Sequence, residues 1–517
     1  MRSRFLPALL ALGAGCTSAH GRAAPTPAPA PTPAPVDPRV AAVARLRADV
    51  DSMMADPQWA NAHWGILIVD PQRGDTLYAH NAGKLFLPAS NQKILTGSVA
   101  LTLLGPDYRW RTSYGVRGTI AGGTLRGDLV VIGRGDPTVS DHMRGDALGP
   151  LRDVADSLIA HGVRRIRGSL VADGNAFPGP IYGFGWDWDD ADADYGAPTD
   201  ELLFNEGFTH VVVRGGGRPN ELAAVWTAPA TAYPPIRVDV HTLAADDTAR
   251  ARRRIDVRRD SVTGGYVVSG GIAPNDSVGL DLSYPDPTRS YLAALREALS
   301  LRGIALETAP ATGRVSKSLR PTPGADTLFS VLSPPLREVL PALEKPSQNQ
   351  IAEILLKTLG LARTGVGTAD SGRRVVERQL AAWGVQPERD VAYRDGSGLS
   401  RHDYVTPGAL VRVLSTIRGD TAFRAFYDAL PIAGVDGTIR NRMKGTPAEG
   451  NVHAKTGTVD KARSLSGYVT TADGRQLVFS FLCNNYTVPT RNVERVQDAI
   501  AARLAALGAP AAATSAR

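Results

Sequence analysis

The stretch LPASNQKILTGSVALTLL, which begins at Leu87, places a serine and a lysine three residues apart at the start of an apolar segment. A serine hydroxyl is a poor nucleophile unless a base removes its proton. Residues i and i+3 of a helix share a face, so a helical segment would place Lys93 beside Ser90. Lysine acts as a base only when neutral, which requires burial or a nearby cation to lower its pKa from about 10.4. The pair therefore indicates covalent chemistry at a serine.

Two more clusters of reactive side chains follow along the chain. SQN, which ends in Asn349, opens a predicted helix, and HAKTGTV, which contains Lys455, lies on a predicted strand. Ser347 can relay a proton, and Asn349 can hydrogen-bond an amide carbonyl. Lys455 supplies a second cation that binds a carboxylate and keeps Lys93 deprotonated, while Gly457 lets the strand edge approach a bound peptide closely. S-x-x-K, S-x-N and K-T-G in this order are the motif set of penicillin-interacting serine enzymes.

The composition is that of a globular protein. Of the 517 residues, 43% are hydrophobic and 21% are charged, and the formal net charge is +7. The densest basic run, ARARRRIDVRRD from Ala249, contains apolar and acidic residues but no aromatics, so we predict no nucleic-acid site. The nine histidines show no metal-binding spacing, and neither a metal nor a cofactor is expected.

The N-terminus predicts export to the periplasm or cell envelope. Arg2 and Arg4 precede an apolar run and then small residues, so residues 1–20 have the layout of an export signal. Cys16 follows LGAG, and this sequence fits either lipidation of Cys16, which would tether the protein to a membrane, or simple cleavage nearby. The Ala/Pro-rich residues 21–38 predict an extended linker. Since Cys483 is the only other cysteine, no intrachain disulfide is expected after processing.

Hydrophobic periodicity divides the chain into a split domain and an insert. Helical and hairpin patterns occur near both ends of the chain, and the second hairpin turns at Asp473 and Gly474. We predict one α/β domain whose terminal helices pack on a sheet formed from both halves. Short β-rich runs between turns predict a large, mainly β insert of one or two small domains. The predicted limits are 39–112 and 327–508 for the split domain, 113–326 for the insert (about 113–138 with 231–326, and about 139–230) and 509–517 for a disordered tail.

These motifs resemble those of a known family. From about Val40 to about Leu507 the chain is similar to the low-molecular-mass class C penicillin-binding proteins, the D-alanyl-D-alanine carboxypeptidase/endopeptidase family. The resemblance implies an α/β (α+β) transpeptidase domain of the penicillin-binding-protein/β-lactamase type with a long insert. Besides the three motifs, the similar segments are GRGDPTVS from Gly133, GWDWDDADADYGAP from Gly185, DGSGLSRHDYVTP from Asp395 and VDGTIRNRM from Val435.

The resemblance also implies roles for individual residues. Ser90 would attack the carbonyl of the penultimate D-Ala of a peptidoglycan stem peptide and form an acyl-ester, with Lys93 as the general base. Ser347 would pass the proton to the leaving amine, and Asn349 would orient the substrate amide. The other implied sites are a carboxylate site at Lys455 and Thr456, an oxyanion hole formed by the N–H groups of Ser90 and Thr458, and contacts of Arg401 and Asp190 with a diaminopimelate side chain.

The resemblance predicts a serine-type D-Ala-D-Ala carboxypeptidase, an endopeptidase or both, with β-lactams acylating Ser90. A β-lactamase is the alternative enzyme, but it needs fast deacylation and usually a dedicated carboxylate base, and the large insert also argues against it. A catalytically idle peptidoglycan-binding protein is the alternative outside enzymes. It predicts damage at Ser90, Lys93 or Lys455, and all three are intact. In a purely structural interpretation, Ser90 and Ser347 only cap helices.

Overall fold

The computed structural model of the protein describes residues 38–244, 254–307 and 325–509. The predicted export signal, Cys16, nearly all of the predicted linker and all but the first residue of the predicted tail lie outside the described residues. Within the described ranges, no helix is both long and apolar enough to cross a membrane.

The described residues form 19 β-strands. Their bounds are β1 (His63–Asp70), β2 (Asp75–His80), β3 (Arg111–Ala121), β4 (Thr124–Ile132), β5 (Arg165–Arg167), β6 (Leu170–Ala172), β7 (Phe208–Arg214), β8 (Ala224–Ala228), β9 (Ile236–Thr242), β10 (Arg254–Asp260), β11 (Gly265–Ile272), β12 (Ser277–Ser283), β13 (Ala305–Leu306), β14 (Asp326–Leu332), β15 (Val391–Ala392), β16 (Tyr404–Val405), β17 (His453–Val459), β18 (Ala462–Thr470) and β19 (Gln476–Asn484).

The helices of the same residues lie mostly in the split domain. Their bounds are α1 (Pro38–Met54), α2 (Gln92–Leu104), α3 (Asp141–Arg144), α4 (Gly149–Ala160), α5 (Pro287–Leu301), α6 (Leu336–Glu344), α7 (Asn349–Thr364), α8 (Ala369–Ala382), α9 (Pro407–Ile417), α10 (Phe423–Ala429) and α11 (Thr490–Ala505).

A five-stranded antiparallel sheet joins the two ends of the chain. Its order is β17-β18-β19-β1-β2, so strands from the C-terminal part pair with the hairpin near the N-terminus. Side chains alternate across β19: Phe479 and Phe481 pack in a core with residues of α1 and α11, whereas Val478 and Leu482 pack with residues of α2 and α9. This period-two alternation explains why each face of the sheet carries its own helices. The predicted sheet from both halves, with the terminal helices on it, is confirmed.

Helix α2 lies at the centre of the helical layer. It contacts α6, α7, α8 and α9, and its residues from Gln92 to Leu101 are all buried. A helix that is apolar on all sides is suited to such a position. The sequence predicts a helix over about 90–104, and the structure begins α2 two residues later because residues 89–91 form a 3₁₀ turn. Ser90 therefore lies on the tight turn before the helix.

The insert contains three sheets. The largest combines β3, β4, β5, β6 and β13 with β14, which lies almost wholly beyond the limit predicted at residue 326, and α4 and α5 share its core. The other two, β12-β7-β8 and β10-β11-β9, share a second core. The pairing of β12 with β7 crosses the domain limit predicted at residue 230, and the division of the insert into domains stays a prediction. Turns of the insert at residues 194–196 and 205–207 contact α7 and so reach the split domain.

Candidate active site

The turn before α2 is held against strand β17. Asn91 donates a hydrogen bond from Nδ2 to the Lys455 carbonyl oxygen at 2.9 Å, and Ser464 Oγ on β18 donates to the Pro88 carbonyl oxygen at 2.8 Å. Ala89 adopts a left-handed backbone conformation, with φ of 47°, which turns the chain sharply before Ser90. These contacts place the Ser90 hydroxyl between the helical layer and the end strand of the sheet.

Lys93 lies directly behind Ser90. Its Nζ donates hydrogen bonds to Ser90 Oγ at 2.9 Å, Asn349 Oδ1 at 2.6 Å and the Ser397 carbonyl oxygen at 2.8 Å. Burial lowers the pKa of Lys93 to about 8, against the opposing influence of nearby carboxylates, of which Glu344 is the strongest. The amine is thus able to lose its proton at moderately alkaline pH while remaining aimed at the serine.

Lys455 is a second buried lysine in the same region. Its Nζ donates to the Thr456 carbonyl oxygen at 3.1 Å, and the Thr456 hydroxyl donates to Thr438 Oγ1 at 2.7 Å. Burial and then the charge of Lys93 hold the pKa of Lys455 well below its usual value, and Glu344 opposes both effects. Two buried ammonium groups repel each other, so protonation of one lysine favours the neutral form of the other.

Gly457 faces the turn that carries Ser90. A Cβ atom added to Gly457 would lie 2.2 Å from Ser464 Oγ, 2.5 Å from the Pro88 carbonyl oxygen and 2.9 Å from the Ser90 backbone nitrogen. The K-T-G glycine therefore allows β17 to pack against the turn that carries Ser90. Gly457 thus has a packing role in addition to the predicted close approach of a bound peptide.

The SQN segment stands at the entrance of α7. Ser347 has φ of 70°, and the Gln348 side chain accepts a hydrogen bond from the Gln350 backbone N–H at 3.0 Å, which caps the helix. Gln348 also donates from Nε2 to Glu206 Oε2 at 2.7 Å, and Asn349 donates from Nδ2 to the Tyr195 carbonyl oxygen at 2.9 Å. The insert thus helps to hold the side chains that face Ser90.

A buried acidic network supports the loop behind Lys93. Glu353 Oε1 on α7 accepts a hydrogen bond from the Ser397 backbone N–H at 2.8 Å, and Asp395 Oδ2 accepts one from Ser400 N–H at 2.7 Å. Burial raises the pKa of Glu353 to about 7, with the Asp395 charge adding to the effect. Because this network fixes the loop, it also fixes the Ser397 carbonyl that accepts from Lys93.

A cleft of about 430 Å³ opens above these residues. Arg401 and Asp190 both lie on its wall, where Arg401 Nε is 3.5 Å from Asp187 Oδ2 and Asp190 Oδ1 accepts a hydrogen bond from the Tyr195 hydroxyl at 2.8 Å. The lining residues are Ser90, Asp187, Asp190, Tyr195, Ser347, Asn349, Gly398, Leu399, Arg401, Thr438, Thr456, Thr458, Val459 and Asp460.

The structure brings every site residue predicted from the sequence to this cleft or directly beneath it, with Lys93 and Lys455 buried under its floor. Three residues of the cleft wall, Asp187, Tyr195 and Thr438, were not predicted from the sequence. Asp187 and Tyr195 belong to GWDWDDADADYGAP, whose aromatic and acidic residues are suited to polar binding surfaces. Thr438 belongs to VDGTIRNRM, so for all three residues a quoted segment was the available signal. The part of the chain that the structure describes contains no cluster of three or more His, Cys, Asp or Glu side chains that could hold a metal ion.

Comparisons with known proteins identify the family of this chain. The model of the D-Ala-D-Ala carboxypeptidase 3 (S13) family matches residues 46–507. A D-alanyl-D-alanine carboxypeptidase of Actinomadura sp. (strain R39) is 33% identical over 483 residues, which cover 90% of this chain and 85% of the relative. The D-alanyl-D-alanine carboxypeptidase DacB of Haemophilus influenzae is 28% identical over 440 residues, which cover 83% of this chain and 87% of the relative.

Solved structures show the same similarity. The crystal structure of penicillin binding protein 4 (dacB) from Haemophilus influenzae matches with a TM-score of 0.74 at 25% identity, covering 89% of this chain and 99% of the other. The same protein complexed with a β-lactam matches with a TM-score of 0.69 at 26% identity, covering 87% of this chain and 96% of the other. The family match spans both halves of the split domain and the insert between them. The chain therefore belongs to the S13 family of D-Ala-D-Ala carboxypeptidases, which are serine peptidases.

Proposed function

We propose that Ser90 is the nucleophile of this serine-type D-Ala-D-Ala carboxypeptidase and that Lys93 is its general base. One observation carries the assignment: the buried amine of Lys93 lies 2.9 Å from Ser90 Oγ, and that hydroxyl faces the cleft. Lys93 accepts the hydroxyl proton as Ser90 Oγ forms a bond to the carbonyl carbon of the penultimate D-Ala. The backbone N–H groups of Ser90 and Thr458 bind the oxyanion that develops on the carbonyl oxygen.

The second half of acylation uses the SQN and K-T-G motifs. The bond from the carbonyl carbon to the leaving nitrogen breaks, and Ser347 passes the proton from Lys93 to that nitrogen, so that free D-Ala leaves as an amine. Lys455 and Thr456 hold the terminal carboxylate of the substrate, and Asn349 orients its amide. Water then attacks the Ser90 ester, which releases the shortened peptide and restores the serine.

The substrate in this proposal is a peptidoglycan stem peptide. Arg401 lies on the cleft wall, and its side chain is partly exposed. It binds the free carboxylate of a diaminopimelate side chain, which replaces Asp187 as the ion-pair partner of Arg401. Asp190 meets the amine of the same side chain. A substrate of this kind carries both charges on one group, and the two residues offer the opposite charges on one wall.

β-Lactams are proposed to acylate the same serine. Their strained amide presents a carbonyl carbon to Ser90 Oγ, and their carboxylate fits the site of Lys455 and Thr456. A relative of similar fold, penicillin binding protein 4 from Haemophilus influenzae, has been solved in complex with a β-lactam. Neither alternative is favoured: the matching relatives are named carboxypeptidases rather than β-lactamases, and the intact Ser90, Lys93 and Lys455 argue against an idle protein.

We further propose that residues 1–20 export the protein to the periplasm or cell envelope, with or without a lipid at Cys16. Mass spectrometry of the mature N-terminus separates lipidation of Cys16 from cleavage nearby. We also propose the domain limits predicted from the sequence, and limited proteolysis of the insert tests them.

The proposed nucleophile is tested by Ser90→Ala, with Ser52→Ala on the exposed face of α1 as the matched control. Ser90→Ala is expected to abolish both covalent labelling by a fluorescent penicillin and release of D-Ala, whereas Ser52→Ala retains both. Labelling that persists in Ser90→Ala refutes the assignment. Incubation of the wild-type protein with disaccharide-pentapeptide and with a cross-linked dimer shows which bond is cut, and so measures the balance of carboxypeptidase and endopeptidase activity.

A further inference from the structure

Glu344 carries a buried carboxylate that belongs to none of the three motifs and has no role in the proposed mechanism. It is the last residue of α6, three positions before Ser347, and it is fully buried. Among the described residues, neither of its two carboxylate oxygens has a hydrogen-bond partner. Burying an unpaired carboxylate is costly, so its retention here requires compensation by nearby positive charge.

The surroundings of Glu344 supply that charge. A Cβ atom added to Gly97 would lie 2.9 Å from Glu344 Oε1, so the carboxylate occupies the space beside a glycine one turn beyond Lys93 on α2. Two positively charged groups act on Glu344: Lys93 on α2 and Lys455 on β17. Each lysine also interacts with other charges. Those acting on Lys93 are Glu353, Asp395 and Asp403, and Arg463 acts on Lys455.

We propose that Glu344 is a positioning residue whose buried negative charge controls how protons are distributed between Lys93 and Lys455. This inference rests on the proposed roles of the two lysines. Glu344 contacts neither substrate nor nucleophile, and it acts only through the lysines. Its carboxylate compensates one ammonium group in a site where two would repel each other.

The electrostatics of the three groups support this role. Burial raises the pKa of Glu344 to about 7, and the charges of Lys455 and Lys93 oppose that rise. Burial lowers the pKa of Lys93 to about 8, and Glu344 is the strongest opposing charge. The pKa of Lys455 is likewise held well below its usual value by burial and then by the charge of Lys93, so the protonation of each of the three groups depends on the other two. When a substrate carboxylate binds beside Lys455, its charge favours protonated Lys455, and repulsion then leaves Lys93 neutral beside Ser90.

The test is the pH dependence of penicillin acylation in the full-length protein with Glu344→Gln. Removal of the carboxylate charge lowers the pKa of Lys93, so the acidic limb of the second-order acylation rate is expected to move down by about one pH unit. Lys455 also loses its counter-charge and is less often protonated. The KM for a D-Ala-D-Ala peptide is therefore expected to rise about tenfold at pH 7 relative to wild type.

Glu338→Gln is the matched control, because it removes the same charge from an exposed position on the same helix. The inference is overturned if Glu344→Gln keeps the wild-type pH profile, or if Glu338→Gln shifts the profile equally. If Glu344→Gln does not fold, Glu344→Asp is the second variant, because its carboxylate lies one methylene farther from the two lysines. The acidic limb of acylation should then move in the same direction by a smaller amount. An unshifted pH profile of Glu344→Asp overturns the inference. A wild-type protein that no penicillin acylates would instead contradict the proposed function.

Discussion

The amine of Lys93 lies 2.9 Å from the hydroxyl oxygen of Ser90, although Lys93 is fully buried and Ser90 reaches the cleft. Two further acceptors, Asn349 Oδ1 and the Ser397 carbonyl oxygen, fix the direction of the amine. In the proposed mechanism, this relationship joins a base kept out of water to a nucleophile exposed to substrate. It also makes the reactivity of Ser90 depend on groups far away in sequence.

Acylation of Ser90 is expected to accelerate as the pH rises towards about 8. The pKa of Lys93 is lowered to about 8 by burial, so below that pH the lysine is mostly protonated and cannot accept the serine proton. Each pH unit below the pKa reduces the neutral fraction, and therefore the rate, about tenfold. The measurement is the second-order rate constant of fluorescent-penicillin labelling between pH 6 and 9. A rate that is constant between pH 6 and 8 contradicts the prediction.

Asn349→Asp is expected to shift the same profile in the opposite direction. The aspartate keeps an oxygen acceptor near Lys93 Nζ, now 2.6 Å from Asn349 Oδ1, but adds a negative charge that stabilises the ammonium form. The acidic limb of acylation should therefore move up by about one pH unit or more. Asn349→Ala, which adds no charge, serves as the comparison. It should reduce the rate by about 100-fold and move the limb down rather than up, because the ammonium form of Lys93 loses an acceptor.

Gly457→Ala is expected to reduce acylation by more than about 100-fold and to destabilise the fold by about 1–3 kcal/mol. The new Cβ would overlap the Pro88 carbonyl oxygen and the Ser90 backbone nitrogen, so the turn or the strand must move. Labelling rates and thermal unfolding measure the two effects. Gly83→Ala is the control, because no atom lies within 4 Å of its added Cβ. Equal behaviour of the two variants would disprove the packing argument.

Arg401→Ala is expected to raise the KM about tenfold for stem peptides with a free side-chain carboxylate, while leaving kcat nearly unchanged. The variant loses one charge-assisted hydrogen bond to the substrate carboxylate in a partly exposed site. Peptides without that carboxylate, and penicillin labelling, should be unaffected. Arg389→Ala is the control, because Arg389 pairs with the neighbouring Asp390 at the surface. A KM that rises equally for both peptide types argues against the assignment of Arg401.

Local patterns in the sequence predicted the elements that carry the reaction. The apolar segment after Ser90 predicts α2, and the alternating residues around Asp473 and Gly474 predict the β18–β19 hairpin. The three motifs predict the reacting side chains because chemistry restricts which residue types can do this work. The two longer helices of the insert, α4 and α5, were not predicted, since short β-rich runs dominate the pattern around them.

The pairing of strands within the insert was harder to predict from the sequence. No periodicity indicates that β12 pairs with β7 across the predicted limit at residue 230, because strand partners are chosen by packing rather than by local sequence. Glu344 illustrates the same point within the site. In the sequence, Glu344 is an ordinary acidic residue at the end of an amphipathic helix. Only the folded chain buries its carboxylate near the two lysines.

The sequence by itself determined the kind of chemistry, the order of the motifs and the sheet built from both ends of the chain, because residue type and hydrophobic period are local properties. Only the tertiary structure decided the surroundings that shift the pKa of the site lysines. The pKa of Lys93 depends on burial and on charges from α6, α7 and the loop after β15, which converge only when the chain is folded. Electrostatic interactions act over distances in space, and a linear sequence does not contain those distances.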